Sequence, residues 1–279
     1  MRWIKLAALA SLWLVFFVLV ALVHLWITIL RLPNRWKIVS RLLRSFSFLV
    51  RTILNIKISV SGEDGAFERG GTVIISKHVS YVDGLVLASL FPIVFVSKKE
   101  VRSWPVVGQW NRLCGTIFID RRRKQKVALV VAEMKRKLQQ EANILLFPEG
   151  TSTNGETILP FQTAPLAGPL RARATILPVT LVYKTVDASP VSAVNRDLIF
   201  WYGDMDFLSH FWRLLSVKSV EVLLTIQPRI ECRWYPDTSA GRKQLAIDCY
   251  NGVLGRRAPE AAEQERESRA GDSSSLLSS

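Results

Sequence analysis

Acidic residues are missing from the first 62 residues of the chain, whereas nine lysines and arginines occur there. These basic residues flank very apolar segments, so we expect them to face an anionic membrane surface rather than a nucleic acid. Of all 279 residues, 49% are hydrophobic. This fraction is high for a chain that has no contact with a membrane.

Cysteine is also scarce, and the three cysteines, Cys114, Cys232 and Cys249, lie far apart. They form neither a C-x-x-C pair nor an even-numbered framework, so we expect no disulfide, no metal site and a reducing compartment. A P-loop is missing as well. The stretch 150–155 is one residue too long for the G-x-S-x-G turn of serine hydrolases, which argues against that class of enzyme.

Residues 6–30 form a long run without a charge. As a helix this run would be about 37 Å long, enough to cross a hydrocarbon core of about 30 Å. It is too long for the apolar part of a signal peptide, and basic residues follow it, so we predict a retained anchor. Seven basic residues between Arg31 and Lys57, against two before the run, place the rest of the chain on the cytoplasmic side of the inner membrane. Both N-terminal helices could instead enter one leaflet as a hairpin.

Residues 37–54 carry basic residues near helical spacing among apolar ones. The pattern predicts a basic amphipathic helix in the headgroup layer, or alternatively a core helix of the globular domain with a solvated basic face. We therefore predict a membrane anchor over 1–57, a globular domain over 58–255 and a disordered tail over 256–279.

Short β-rich runs alternate with helical stretches from about residue 59 onwards. Buried strands are predicted over 72–76, 92–97, 115–120, 143–148 and 175–183, a helix over 124–141 and later strands over 197–203 and 219–230. The alternation predicts an α/β fold with a mostly parallel sheet flanked by helices, joined to N-terminal membrane-anchoring helices. In such sheets ligands bind outside the carboxyl ends of the strands.

The stretch "KHVSYVDG" over 77–84 connects a predicted strand to a predicted helix. Ser80 and Asp83 have the spacing of a capping box, which alone would explain the aspartate. His78 precedes the helix, however, and a carboxylate on one imidazole nitrogen would leave the other free as a base. Both roles are compatible, because the cap brings Asp83 towards His78.

Two further stretches follow predicted strands. In "FPEGTSTNG", Glu149, Thr151 and Ser152 offer polar contacts, while Gly150 permits a close backbone approach. In "GTIFIDRRRK", basic residues from Arg121 onwards form either a solvated cluster or an anion site.

Taken together, these stretches resemble the PlsC-type glycerolipid acyltransferases, which include 1-acylglycerol-3-phosphate acyltransferases. The family has four blocks in order: H-x4-D, G-x-x-F-x-x-R, F-P-E-G-T and a proline after an apolar strand. The matching residues are His78 and Asp83; Gly115, Phe118 and Arg121; 147–152; and Pro178.

The resemblance implies that His78 takes a proton from a lysolipid hydroxyl, which attacks the thioester of acyl-CoA or acyl-ACP without an acyl-enzyme. Asp83 would orient His78. Glu149, Gly150, Thr151 and Arg121 would bind the acceptor's phosphate, and the set of substrate-binding residues is completed by Gly115, Phe118 and Pro178. No other cofactor, no metal and no nucleic acid are implied; membrane lipids are the partners.

Three departures from the family pattern concern charge. Lys77 stands where the family often has asparagine, Ser152 where some members have arginine, and Gln162 where many have a basic residue. Phosphatidic acid remains the favoured product. The segment 201–205, "WYGDM", is similar to relatives that acylate other lysolipids such as lyso-ornithine lipid, which is the alternative acceptor. A non-catalytic lipid-binding protein is the second alternative.

Overall fold

The computed structural model describes residues 1–62, 70–104, 107–119 and 124–256, without the side chains of 124–127. The helices of this part are α1 (Arg2–Ile29), α2 (Arg35–Leu54), α3 (Tyr81–Leu90), α4 (Val107–Leu113), α5 (Lys124–Gln139), α6 (Ala167–Ala172), α7 (Phe207–Leu214) and α8 (Ser239–Val253). The strands are β1 (Ile56–Gly62), β2 (Thr72–Ile75), β3 (Ile93–Lys98), β4 (Ile117–Ile119), β5 (Asn143–Leu146), β6 (Thr175–Val186), β7 (Ser189–Pro190), β8 (Val220–Ile226) and β9 (Ile230–Glu231).

The strands form one mostly parallel sheet in the order β1-β8-β6-β2-β5-β3-β4, with β7 and β9 on β6. The pairs from β6 through β2, β5 and β3 to β4 are parallel, and β8 is antiparallel to β6. Helices flank the sheet: α2 packs on α3 and β3, and α5 packs on α6, β4 and β5. The predicted fold class is confirmed. The carboxyl ends of β2 and β5 meet at one edge, which brings the segments after residues 75 and 146 together.

The apolar N-terminal run is α1, which is long and apolar enough to cross a membrane by length and composition. One side of it packs on α2, with Leu9, Phe16 and Val20 buried, while most of its other apolar residues are exposed. At its first turn, the Lys5 ammonium donates to the carbonyl oxygen of Val217 at 2.7 Å, so this end is held against the globular domain.

The predicted basic helix is α2, and its apolar side is buried within the protein. The buried residues of α2 include Val39, Leu43 and Phe46, whereas Arg41 and Arg44 are exposed. Protein therefore covers the apolar face, as in the alternative interpretation of a domain helix with a solvated basic face. The predicted domain boundaries stay predictions.

The strand predicted over 197–203 is wrong. This segment starts with the 3₁₀ helix Arg196–Leu198 and continues without strand structure. Two of its backbone groups bond to the turn before α3 instead of a strand: Trp201 N–H donates to the Val79 carbonyl oxygen at 2.9 Å, and the Ile199 carbonyl oxygen accepts from Ser80 Oγ at 2.5 Å. The aromatic and β-branched residues of this segment predict a strand, but its tertiary contacts determine a different backbone conformation.

The tail predicted from residue 256 lies outside the described residues from 257 onwards. The three cysteines are all buried and free.

Candidate active site

The stretch 77–84 forms the turn between β2 and α3. Ser80 is the N-cap of α3: its hydroxyl accepts from Val82 N–H at 3.2 Å, and the Asp83 carboxylate accepts from Ser80 N–H at 2.9 Å. The predicted capping box is therefore present. The cap turns the first residues of α3 back over the loop that carries His78.

His78 and Asp83 are in contact. The distance from His78 Nδ1 to Asp83 Oδ2 is 3.0 Å. Asp83 is fully buried, and the same oxygen accepts from Val79 N–H at 2.7 Å. An anionic Oδ2 requires a proton on Nδ1, which leaves the lone pair on Nε2. In the described part of the chain Nε2 has no hydrogen-bond partner, and 20% of the His78 side chain is exposed.

The imidazole of His78 also stacks on the ring of Phe147, with centroids 4.1 Å apart and planes at 13°. The Asp83 contact and this stacking both restrict rotation of the ring. A histidine held in one tautomer and one orientation, with a free nitrogen, can act as a general base.

Glu149 joins two backbone segments around this loop. One carboxylate oxygen accepts from His78 N–H at 2.7 Å and the other from Leu159 N–H at 2.8 Å, and the side chain is buried. Burial raises the pKa of Glu149, and these two bonds oppose that effect. Both carboxylate oxygens thus hold the protein's own backbone, whereas the family resemblance implied a contact with the acceptor.

Gly150 and Thr151 lie beside His78 and line the same cavity. The φ angle of Gly150 is +80°, a left-handed conformation that favours glycine. Thr153 N–H donates to the His78 carbonyl oxygen at 3.0 Å. Together with Glu149, the turn after β5 therefore bonds both the backbone N–H and the backbone carbonyl of His78.

The other residues implied by the resemblance lie elsewhere. Gly115 has a φ angle of +77°, and a Cβ added to it would stand 2.4 Å from the Trp36 ring, so it permits close packing of α2. Pro178 pairs with Ile75 within the sheet, and Phe118 lies in β4. None of these three lines the cavity beside His78. Arg121 lies outside the described residues.

The cavity beside His78 has a volume of about 480 Å³ and is mainly apolar. Trp13 of α1, Phe46 of α2 and Trp110 of α4 line it and contact one another, with ring centroids 5.2–6.0 Å apart. Its polar lining includes Ser152 and Gln162. A cavity of this kind suits a hydrocarbon chain that presents a polar group at His78.

Two further residues interact with the pair: Tyr183, which the sequence did not single out, and Lys77, which it singled out as a departure from the family pattern. Tyr183 of β6 donates from Oη to Asp83 Oδ1 at 2.7 Å. Lys77 is half-buried; burial lowers its pKa, and the negative charges of Asp83 and Glu149 oppose that effect. Tyr183 lay within a predicted buried strand, which was the signal available, but its partner was not predictable locally.

The remaining histidine near the cavity is packed. His210 is fully buried, its Nδ1 lies 2.9 Å from Tyr81 Oη, and burial lowers its pKa. It is therefore poorly placed as an alternative base. Among the described residues, no group of three or more His, Cys, Asp or Glu side chains could hold a metal ion.

Comparison with known proteins identifies the family. A family model described as Acyltransferase matches residues 57–182. The chain is 34% identical to a lyso-ornithine lipid O-acyltransferase of Pseudomonas aeruginosa over 214 residues, covering 77% of each protein. This chain belongs to the acyltransferase family. It is a lysolipid acyltransferase.

Other relatives differ in the acceptor that their names give. A lyso-ornithine lipid O-acyltransferase of Brucella abortus is 29% identical, covering 83% of this chain and 90% of its own. A 1-acyl-sn-glycerol-3-phosphate acyltransferase of Neisseria meningitidis is 27% identical, covering 62% and 65%. The crystal structure of the LPA acyltransferase PlsC from Thermotoga maritima aligns with a TM-score of 0.59 at 18% identity, over 91% of this chain and 96% of its own, and shares the fold.

Proposed function

We propose that His78 is the general base of a direct acyl transfer to the hydroxyl of a lysolipid. The observation that carries this proposal is the His78–Asp83 contact of 3.0 Å at the wall of an apolar cavity. Asp83 accepts the Nδ1 proton, and the unpartnered Nε2 is available to the substrate.

The reaction needs one proton to move twice. His78 Nε2 takes the proton of the acceptor hydroxyl while the hydroxyl oxygen forms a bond to the carbonyl carbon of the thioester. The carbon–sulfur bond then breaks, and the thiol of coenzyme A or of the acyl carrier protein leaves with the proton from the imidazolium. The charge of Asp83 stabilises the imidazolium between these two events.

An acyl-enzyme on Ser80, the serine of the same turn, is disfavoured by the contacts of its hydroxyl. Ser80 Oγ donates to the Ile199 carbonyl oxygen and accepts from Val82 N–H, and it is fully buried. A serine held in this way has no access to a thioester. This supports direct attack by the acceptor hydroxyl.

Lyso-ornithine lipid is the acceptor that we propose, ahead of 1-acylglycerol-3-phosphate. Ser152 and Gln162 line the cavity as neutral side chains, where the family pattern has arginine in some members and a basic residue in many, respectively. A phosphomonoester carries close to two negative charges near pH 7, whereas an ornithine headgroup offers one carboxylate and one ammonium. The relatives from Pseudomonas aeruginosa and Brucella abortus support this choice, and the Neisseria meningitidis relative supports the phosphate acceptor as the second candidate.

The apolar N-terminal helix and the lipid acceptors of the relatives point to membrane association. We propose that the exposed apolar side of α1 enters the bilayer and that the catalytic domain faces the cytoplasm, because basic residues follow α1 in excess. Trp13 of α1 lines the cavity, so the membrane helix also forms part of the path for an acyl chain.

The test uses purified full-length protein in vesicles, offered lyso-ornithine lipid or 1-acylglycerol-3-phosphate, each with acyl-CoA or acyl-ACP. We expect His78→Ala to lose about 10²- to 10⁴-fold in rate, the usual contribution of general base catalysis, while it remains membrane-bound. His24→Ala, which changes a histidine outside the cavity lining, is the control and should stay active.

Undiminished transfer by the His78 variant would disprove the mechanism. A clear preference for 1-acylglycerol-3-phosphate would leave the mechanism standing and replace the proposed acceptor.

A further inference from the structure

Asp83 has a partner that comes from a hundred residues further along the chain. Its Oδ2 accepts from His78 Nδ1, Val79 N–H and Ser80 N–H, all within its own turn. Its Oδ1 accepts from the hydroxyl of Tyr183 at 2.7 Å. The two oxygens therefore have different environments, and Tyr183 is the one partner of Oδ1 among the hydrogen bonds of the described residues.

The sheet directs Tyr183 towards this carboxylate. In the antiparallel pairing of β6 with β8, Tyr183 lies opposite Val222 and Thr185 opposite Glu221, so Lys184 is an extra residue in β6. Tyr183 lies in the regular part of this pairing, before the extra residue, so it shares one face of the sheet with Val179 and Leu181. The ring of Tyr183 also contacts that of Phe200 edge to face, with centroids 5.5 Å apart.

The phenol keeps its proton in this place. Tyr183 is buried, burial raises its pKa well above the ordinary value, and the negative charge of Asp83 raises it further. A protonated phenol beside a carboxylate is a strong donor, because hydrogen bonds to charged groups are shorter and stronger than neutral ones.

We propose that Tyr183 is a positioning residue for acyl transfer, which fixes the rotation of the Asp83 carboxylate so that Oδ2 stays aligned with His78 Nδ1. Without the Tyr183 hydroxyl, Oδ1 would be buried without a partner, which is costly for a charged group. The carboxylate would then turn to share the N–H donors between both oxygens, and the histidine contact would lose its alignment. This inference rests on the proposed role of His78.

Other ionisable groups also face the pair. Lys77 precedes the histidine, Glu149 holds its backbone from the turn after β5, and Tyr81 is the first residue of α3. A Tyr183→Phe substitution leaves these groups in place and removes one hydroxyl, so a change in pH dependence reports on the Asp83 contact.

The experiment compares Tyr183→Phe with Tyr235→Phe in the full-length protein. Tyr235 donates to Asp248 at the same distance of 2.7 Å, away from the cavity. Tyr235→Phe therefore removes a comparable Tyr–Asp hydrogen bond outside the site. For Tyr183→Phe we expect kcat to fall about tenfold, the size of one hydrogen bond to a charged group, at an unchanged KM. The acid limb of its kcat/KM profile should move to lower pH, because a misaligned Asp83 carboxylate stabilises the imidazolium less. Tyr235→Phe should alter thermal stability alone.

A double-mutant cycle with Asp83→Asn separates positioning from general packing. If Tyr183 acts through Asp83, Tyr183→Phe should have no further effect on kcat in the Asp83→Asn background. The proposal would be overturned if the fold-losses in kcat of the two single variants multiplied in the double variant. It would also be overturned if Tyr183→Phe had an unshifted pH profile and a kcat like that of Tyr235→Phe. An active His78→Ala variant would instead overturn the proposed function beneath it.

Discussion

Replacing Asp83 by asparagine separates the two roles of this side chain, the helix cap and the partner of His78. Asparagine has the same shape, and its oxygen can keep the bonds from Val79 N–H and Ser80 N–H. Its amide nitrogen would then face Tyr183 Oη, which can accept a hydrogen bond as well as donate one. The cap therefore survives, and the negative charge is lost.

The size of the effect follows from the contact distance. A unit charge 3.0 Å from an imidazolium is worth about 5.5 kcal/mol at an effective dielectric constant of about 20, which is about 10⁴-fold in rate. Because 20% of the His78 side chain is exposed, water weakens this attraction, and we expect kcat to fall about 10³- to 10⁴-fold. A similar exchange at the histidine-orienting aspartate of serine proteases costs about 10⁴-fold.

The assay measures kcat by transfer of labelled acyl groups in vesicles, together with the melting temperature. We expect the melting temperature of Asp83→Asn to change by no more than a few degrees, because the asparagine oxygen keeps the bonds from Val79 N–H and Ser80 N–H. Asp206→Asn is the control for the loss of an aspartate charge at a helix start, since Asp206 caps α7 by accepting from Ser209 N–H at 2.8 Å. If Asp83→Asn keeps most of its activity, capping is the main role of this residue and the argument for a catalytic pair fails.

Two other substitutions test the surroundings of the pair. Glu149→Gln keeps one of two acceptor oxygens for the His78 and Leu159 N–H groups. We therefore expect a lower melting temperature and a lower kcat, whereas Glu156→Gln on the same loop should change neither; equal effects of the two would contradict this. Burial lowers the pKa of Lys137 to about 8. Above that pH the unfolded chain binds more protons than the folded one, so the free energy of unfolding should rise by at most about 1.4 kcal/mol per pH unit up to the ordinary lysine pKa of 10.5. Denaturant unfolding at a series of pH values should lose this rise in Lys137→Met, and a persisting rise would refute the assignment.

The local part of the site was predictable because its residues lie within one turn. Ser80, Asp83 and His78 are close in sequence, and a loop followed by a cap brings a carboxylate back to the imidazole. The position of this turn at a strand end followed from the alternation of strands and helices. Neither step needed knowledge of distant parts of the chain.

The remaining contacts depend on strand register and could not be derived from spacing. Tyr183 reaches Asp83 because β6 lies beside β2, and no local pattern of residues reveals that these two distant strands are neighbours. Glu149 was assigned to the acceptor through a family resemblance, whereas its geometry depends on backbone N–H groups 71 and 10 residues away. Gly115 has its role in a contact with Trp36, which belongs to another helix.

The charges around His78 also account for the lysine that precedes it, where related sequences often have asparagine. Asp83 and Glu149 are both buried, and two ionised carboxylates near one neutral imidazole would repel each other. Lys77 is half-buried near both of them, and each raises its pKa against the effect of burial. A cation at this position therefore offsets part of the negative charge while the imidazole is neutral. When the imidazole takes a proton from the substrate, the four groups sum to zero charge, so Lys77 is compatible with a base whose charged form must be stable during transfer.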